Sequence, residues 1–175
     1  MGSERDRSSW LIEPIAKRHD RAAFSCGKEP LDRYLKTQAG QDARRRVAAP
    51  FVMVEGAGGT AVLGYYTLSA FGIDLGALPA ETAKRLPRYP IVPATLLGRL
   101  AVHRSHGGRG LGEFLLMDAL DRALRQSSKI AAAAVVVDAM DGDAWRFYDH
   151  FDFIPFPDRR DRLFLPMTVV KRLFT

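Results

Sequence analysis

At 175 residues, with 47% hydrophobic and 26% charged side chains, the chain is long enough for one domain with a real core and too short for two comfortable ones. No apolar run reaches the ~20 residues of a membrane helix, and a single cysteine, Cys26, excludes an internal disulfide and a thiolate-rich metal site. The net charge of +6, from 26 Lys and Arg against 20 Asp and Glu, disposes the surface toward polyanions without requiring a nucleic acid.

The opening "MGSERDRSSW" lacks the apolar core of a secretory signal, and Asp6 stands where a myristoylation motif wants Ser or Thr, so a cytoplasmic protein is expected. Residues 1–9 read as a flexible segment ahead of one domain over 10–175. "WLIEPI" forms a first short strand. "EPLDRYLKTQAGQDARRR" reads as one helix, with Pro30 near its first turn and Leu31, Leu35, Ala39 and Ala43 repeating every fourth position. "FVMVE" and "AVLGYYTLSAF", split by the turn "GAGG", predict a hairpin. The proline-punctuated stretch 74–90 mixes a short helix with loops.

"IVPATLLGRLAVH" then reads as a long strand and "GLGEFLLMDALDRALRQSS" as an amphipathic helix, with Leu111, Leu115, Ala119 and Ala123 flanked by Leu116, Leu120 and Leu124. "IAAAAVVVDA" carries nothing polar before Asp138, as in a fully buried strand. "DGDAWRFYDHF" spaces Ala144, Phe147, Tyr148 and Phe151 as a short helix would, and "FIPFP" and "RLFLPMTVV" read as two closing strands. The order suggests an α/β (α+β) domain with a mixed central sheet and helices on both faces.

Between the long strand and its helix lie four glycines within six residues, Gly107, Gly108, Gly110 and Gly112. A strand that ends in glycines and feeds a helix exposes unpaired N–H groups at the helix N-terminus, where the dipole also favours an anion. Glycine allows close approach of backbone to phosphate and admits positive φ. A P-loop would need Lys and then Ser or Thr after the last glycine, but Glu113 and Phe114 follow Gly112. The dinucleotide fingerprint would put its third glycine at Glu113. A third reading is the pyrophosphate turn "R/Q-x-x-G-x-G/A", which Gly110 and Gly112 match. On the cluster alone, a solvated turn is as good a reading.

Five segments in order add to it: "FSCGKEPLDRYLKTQAGQD", "GYYTLSA", "YPIVPATLLGRLAV", the glycine turn and "VVVDAMDGDAWRFYDHFDF". With these, the chain from about residue 10 to 170 resembles the GNAT N-acetyltransferase superfamily, and within it the TacT- and AtaT-like toxin branch of bacterial toxin–antitoxin pairs. The resemblance implies a single GNAT-like domain and acetyl-CoA as acetyl donor, with no metal. It places Leu100, Ala101 and Val102 along the pantetheine arm and Arg104, Gly107, Gly108, Arg109, Gly110, Leu111 and Gly112 at the pyrophosphate. Asp141, Ala144 and Phe147 lie near the cofactor in the same resemblance, and Tyr148 takes the general acid's position.

Three positions depart from the family pattern. Gly107 stands where the motif has Gln or Arg, with Arg104 or Arg109 as the replacement cation; Asp141 stands for a common Asn; Asp152 replaces the glycine of the "GF" ending. No general base stands out: His19, His103, His106 and His150 fall in loop-like or helix-edge positions, "HRSH" lacks a third metal ligand, and Asp138 is a base the family does not require. An aminoacyl-tRNA acceptor removes the need for one, because an α-amine titrates near 8 and esterification lowers it further, whereas a lysine side chain titrates near 10.4.

The toxin branch acetylates the amino acid on charged tRNA and stops translation. Arg33, Lys36, Arg44, Arg45 and Arg46, against the single acid Asp42, form one basic group that could track tRNA phosphates. Lys84, Arg85 and Arg88, with Arg99 in the following strand, form a second. On charge alone, solvated helix faces are the better explanation of both groups. The implied partners are aminoacyl-tRNA and a cognate ribbon-helix-helix antitoxin, with no membrane; a homodimer stays open. Two other functions also stay open, acetylation of a small amine or protein lysine and an inactive CoA-binding module.

Overall fold

The computed structural model describes residues 9–175, and most of the expected N-terminal segment, residues 1–8, lies outside it. Seven strands form one mixed sheet in the order β1-β2-β3-β4-β5-β7-β6. They are β1 (Trp10–Pro14), β2 (Ala49–Glu55), β3 (Gly64–Asp74), β4 (Ile91–Val102), β5 (Ala134–Asp138), β6 (Ile154–Pro155) and β7 (Arg162–Pro166). The helices among the described residues are α1 (Glu29–Thr37), α2 (Ala39–Arg45), α3 (Ala80–Ala83), α4 (Leu111–Gln126), α5 (Gly142–His150) and α6 (Met167–Leu173). None of them is long and apolar enough to cross a membrane.

Two compact units divide the chain, one made of the described residues to Leu68 with Arg99–Ala119, the other of Ser69–Gly98 with Leu120–Thr175. In the first, Phe24, Leu35, Val52, Val54, Tyr65 and Ala101 pack into one buried cluster. The apolar stripe of α4 behaves as its period requires, with Leu111, Leu115, Leu116 and Ala119 buried. Close packing of α4 depends on Gly64: a Cβ there would lie 2.7 Å from Leu115 Cδ1 and 2.9 Å from the Ala101 carbonyl oxygen. In the second unit, Ile73, Val92, Ala94, Val136, Phe156 and Phe164 form a separate core.

Four expectations need correction. The single helix over 29–46 is two, because Gln38 leaves helical geometry at φ −118° and Asp42 ties the joint by accepting from Gln38 Nε2 at 2.9 Å and from the Tyr34 hydroxyl at 2.8 Å. The second hairpin strand starts at Gly64 rather than at residue 61. The strand read over 130–139 is only Ala134–Asp138, because the Ile130 N–H still belongs to the end of α4, donating to Gln126 O, and Ile130 is 81% exposed. "RLFLPMTVV" is a strand and then a helix: Pro166 ends the ladder opposite Ala134, and α6 begins at the next residue. Residues 74–90 do hold a short helix, α3, after a 3-10 turn over Leu75–Ala77.

Candidate active site

β4 pairs in parallel with β5 over Thr95–Leu97 against Val135–Val137, then continues from Gly98 to Val102, past the end of that ladder. The three residues assigned to the pantetheine arm all lie in this extension. Its end is anchored by two backbone bonds, His103 N–H to Leu63 O at 2.8 Å and Arg104 N–H to Ser25 O at 2.9 Å. A 3-10 turn over Arg104–His106 then delivers the chain to the glycines.

Gly108 and Gly110 both have φ +78°, the left-handed region that an L side chain rarely adopts, and a Cβ at Gly108 would meet nothing within 4 Å. Gly107 differs, with φ −60° and its nearest neighbour, Arg104 O, 3.6 Å from an added Cβ. Its backbone does not demand glycine. Helix α4 begins at Leu111 and runs 16 residues, with Phe114 N–H closing its first turn on Gly110 O at 3.1 Å. The N–H groups of its first turn therefore have no partner within the helix. Open space, two left-handed glycines, a helix N-terminus and the exposed side chains of Arg104 and Arg109 fit a pyrophosphate.

The histidines flanking this loop are hydrogen-bonding spacers. His103 Nδ1 accepts from Ser105 N–H at 3.1 Å, leaving Nε2 to donate to Ala23 O at 3.2 Å. His106 Nδ1 accepts from Arg109 at 2.9 Å. His19, expected in a loop-like position with no matched partner, is buried: its Nδ1 accepts from Ala16 N–H at 2.9 Å and its Nε2 lies 2.7 Å from Glu13. That bond holds the Glu13 carboxyl below its usual range. Among the described residues no group of three or more His, Cys, Asp or Glu is placed to hold a metal.

In the second unit, α5 carries Ala144, Phe147 and Tyr148, and Asp141 is its N-cap, accepting from Ala144 N–H at 2.9 Å. The cap explains how Asp stands in for Asn, since either side chain offers an oxygen to that amide. Tyr148 is 5% exposed, its ring packed against Phe147 and Phe153 with centroids 5.3 and 5.4 Å away. Burial, and after it the Asp138 carboxylate, push its phenol well above the ordinary range. Asp138 itself is held by Arg162, opposite it in the β5–β7 register, whose Nε and Nη2 donate to its two oxygens at 2.7 and 3.0 Å. Both oxygens of Asp138 are thus engaged in the ion pair. The Arg162 guanidinium also lies over Phe71, 4.8 Å from the ring centroid. Asp152, where the family ending has glycine, adopts the left-handed conformation at φ +68°.

The basic residues fall in different units and differ in their use. Arg33 pairs with Glu29, and Lys84 with Glu81 at 2.8 Å. Arg99 stacks on the Tyr34 ring, 3.5 Å from its centroid, above the bond from Tyr34 to Asp42. Burial and that bond raise the Tyr34 phenol to about 12. Lys36, Arg44, Arg45 and Arg46 are exposed at or near the ends of α1 and α2, and Arg85 and Arg88 are exposed between α3 and β4. Cys26 is half-buried, and burial pushes its thiol up, away from reactivity.

Sequence reasoning did not find Trp10, whose ring lies beside Arg109, nor the pairing of Arg162 with Asp138. Each joins residues distant in the chain, Arg162 and Asp138 through strand register and Trp10 and Arg109 through tertiary packing, which no local spacing encodes.

The model of the Acetyltransferase (GNAT) family matches residues 25–153. A "Probable toxin TacT" of Sinorhizobium fredii is 30% identical over 171 residues, 93% of this chain and 94% of that protein. A "tRNA-acetylating toxin" of Mycobacterium tuberculosis is 34% identical over 139 residues, 79% of this chain and 81% of its own length. Among solved structures, AtaT complexed with acetyl-methionyl-tRNAfMet is similar with a TM-score of 0.87 and 30% identity, covering 95% of this chain and 99% of that one. AtaTR bound with AcCoA is similar with a TM-score of 0.85 and 29% identity, covering 96% and 99%.

Proposed function

The chain belongs to the GNAT acetyltransferase family, and from that premise we propose that it is a toxin that transfers acetyl from acetyl-CoA to the α-amine of an aminoacyl-tRNA, blocking translation in the cytoplasm. The observation that carries the cofactor part is the loop over 107–112, with left-handed Gly108 and Gly110 ahead of the long helix α4. The tRNA part rests on likeness over most of the chain to a tRNA-acetylating toxin and to a toxin complexed with acetylated aminoacyl-tRNA. A cognate antitoxin completes the proposed system.

Acetyl-CoA supplies an activated thioester, and the chain's residues bind, orient and move a proton. The amides of Gly108 to Gly112 cradle the pyrophosphate, with Arg104 and Arg109 as cations beside them. The backbone of Leu100 and Val102 holds the pantetheine arm, with Ala101 between them buried in the core. Asp141 caps α5 and so fixes Ala144, Phe147 and Tyr148 on one short helix.

Tyr148 is the proposed general acid. As the neutral amine forms its bond to the acetyl carbon and the carbon–sulfur bond breaks, its phenol gives a proton to the departing thiolate, whose conjugate acid titrates near 8.5, and the tyrosinate takes back the proton that the nitrogen loses as the amide forms. A phenol raised above its ordinary value stays protonated at neutral pH and is ready to donate, although full transfer to the thiolate runs uphill. Neither Asp138 nor any histidine is required as a base, because the acceptor amine is partly neutral on its own.

The deciding experiment incubates a full set of charged tRNAs with the protein and acetyl-CoA and weighs the aminoacyl ends by mass spectrometry. A gain of one acetyl group on particular aminoacyl-tRNAs is expected. No acetylation of any charged tRNA, with transfer to polyamines or lysines instead, overturns the substrate assignment.

A further inference from the structure

Trp10 opens β1, ninety-nine residues before Arg109 in the chain, yet the fold puts its indole against the glycine loop. The Arg109 guanidinium carbon lies 5.7 Å from the Trp10 ring centroid, within cation–π range. The same indole meets Phe114, at the start of α4, edge-on at 5.2 Å. Arg109 Nη1 also donates to His106 Nδ1 at 2.9 Å. The arginine thus contacts both an aromatic ring and an imidazole nitrogen, and this one unit contributes both.

The state of the indole nitrogen says which part of Trp10 is in use. Trp10 is 7% exposed, and its Nε1 is enclosed with no hydrogen-bond partner among the described residues. Buried indole N–H groups usually find one, and an unpaired one carries a cost. What Trp10 contributes is its ring. A ring beneath a guanidinium constrains the plane of the cation, while the N–H fork that pairs with phosphate oxygens points along that plane.

We propose that Trp10 is a positioning residue of the acetyl-CoA site: together with His106 it holds Arg109 at the glycine loop as the cation that Gly107 does not provide. This rests on reading residues 107–112 as the pyrophosphate loop. Position 107 is itself open to a side chain, with ordinary φ and an added Cβ no nearer than 3.6 Å to Arg104 O. The loop has therefore moved its cation from residue 107 to residue 109, where a distant strand fixes it.

The test measures acetyl-CoA binding by calorimetry and KM against kcat with charged tRNA, on the full chain. Arg109→Ala and Trp10→Leu should each weaken acetyl-CoA binding about three- to five-fold and raise its KM alike, with kcat little changed. The double variant should be no worse than Arg109→Ala alone. Trp10→Phe, which keeps an aromatic face, should recover most of the loss, and Gly107→Gln should rescue Trp10→Leu. Parental affinity in Trp10→Leu, or losses that multiply in the double variant, overturns the proposal.

Should Trp10→Leu fail to fold, Arg109→Lys decides, because it keeps the charge and gives up the plane. A loss equal to that of Arg109→Ala supports positioning by the ring, and parental affinity overturns it. Gly110→Val separates the two levels of the argument. If it binds acetyl-CoA like the parent, the loop reading itself fails; if it abolishes binding while the Trp10 and Arg109 variants bind normally, only the role of Trp10 falls.

Discussion

Tyr148 is buried against two phenylalanine rings, with the Asp138 carboxylate acting on its phenol, and both influences favour the protonated form. A raised pKa keeps the acid form dominant to higher pH than an ordinary tyrosine, which titrates at about 10. The pH profile of kcat/KM should therefore rise as the acceptor amine deprotonates and stay level to about pH 10, where an unperturbed phenol would already be half ionised. A decline beginning near pH 8.5 would point to another acid. Tyr148→Phe keeps the ring packing and removes the proton, so kcat should fall by about 100-fold or more while acetyl-CoA affinity stays within two-fold. Asp152 poses a different residue-scale problem, a non-glycine at φ +68° just past the end of α5. Asp152→Gly relieves that conformation at the expense of a more flexible unfolded chain. A net gain of about 0.5–1 kcal/mol is expected, read as a melting temperature higher by roughly 1–4 °C.

At the scale of elements, the strand–loop–helix unit from β4 to α4 is where the sequence was most readable, because its signals are local. Glycine conformations, the apolar stripe of α4 and the length of β4 are all written in adjacent residues. Where the reading failed, a tertiary contact had overridden a local pattern. Gln38 leaves the helix because Asp42 gathers Gln38 and Tyr34, and "PMTVV" turns helical once β7 runs out of ladder partner at Pro166. Residues of the site contributed by distant strands, Trp10 and Arg162, were invisible for the same reason. Substitutions at two positions test how far element geometry governs the site. Gly64→Ala drives a methyl toward the Ala101 carbonyl, which is backbone and cannot rotate away, so a loss of about 1–3 kcal/mol in urea unfolding is expected. Asp141→Ala removes the cap of α5 and should cost about 1 kcal/mol, whereas Asp141→Asn, which keeps the accepting oxygen, should cost only a few tenths. Equal losses for Ala and Asn would mean that charge, rather than the hydrogen bond, is what Asp141 provides.

For the whole molecule, the excess of +6 matters through where it remains unspent. Arg33 and Lys84 have carboxylate partners on their own helices, and Arg99 is occupied by the Tyr34 ring. Arg44, Arg45 and Arg46, by contrast, stand exposed together at the C-terminal end of α2. A tRNA backbone bound there would release counterions, so binding should weaken steeply with salt, by a slope of roughly 0.7–0.9 per phosphate contacted. Changing all three arginines to alanine should raise KM for charged tRNA, flatten that slope by about 2, and leave kcat at saturating tRNA near the parental value. Acetyl-CoA affinity supplies the control, since none of the three belongs to the proposed cofactor loop. If the triple variant keeps the parental salt slope, the excess charge on α2 is a solvated helix end and the tRNA path must run over other residues, with Arg85 and Arg88 the next to be tested in the same way.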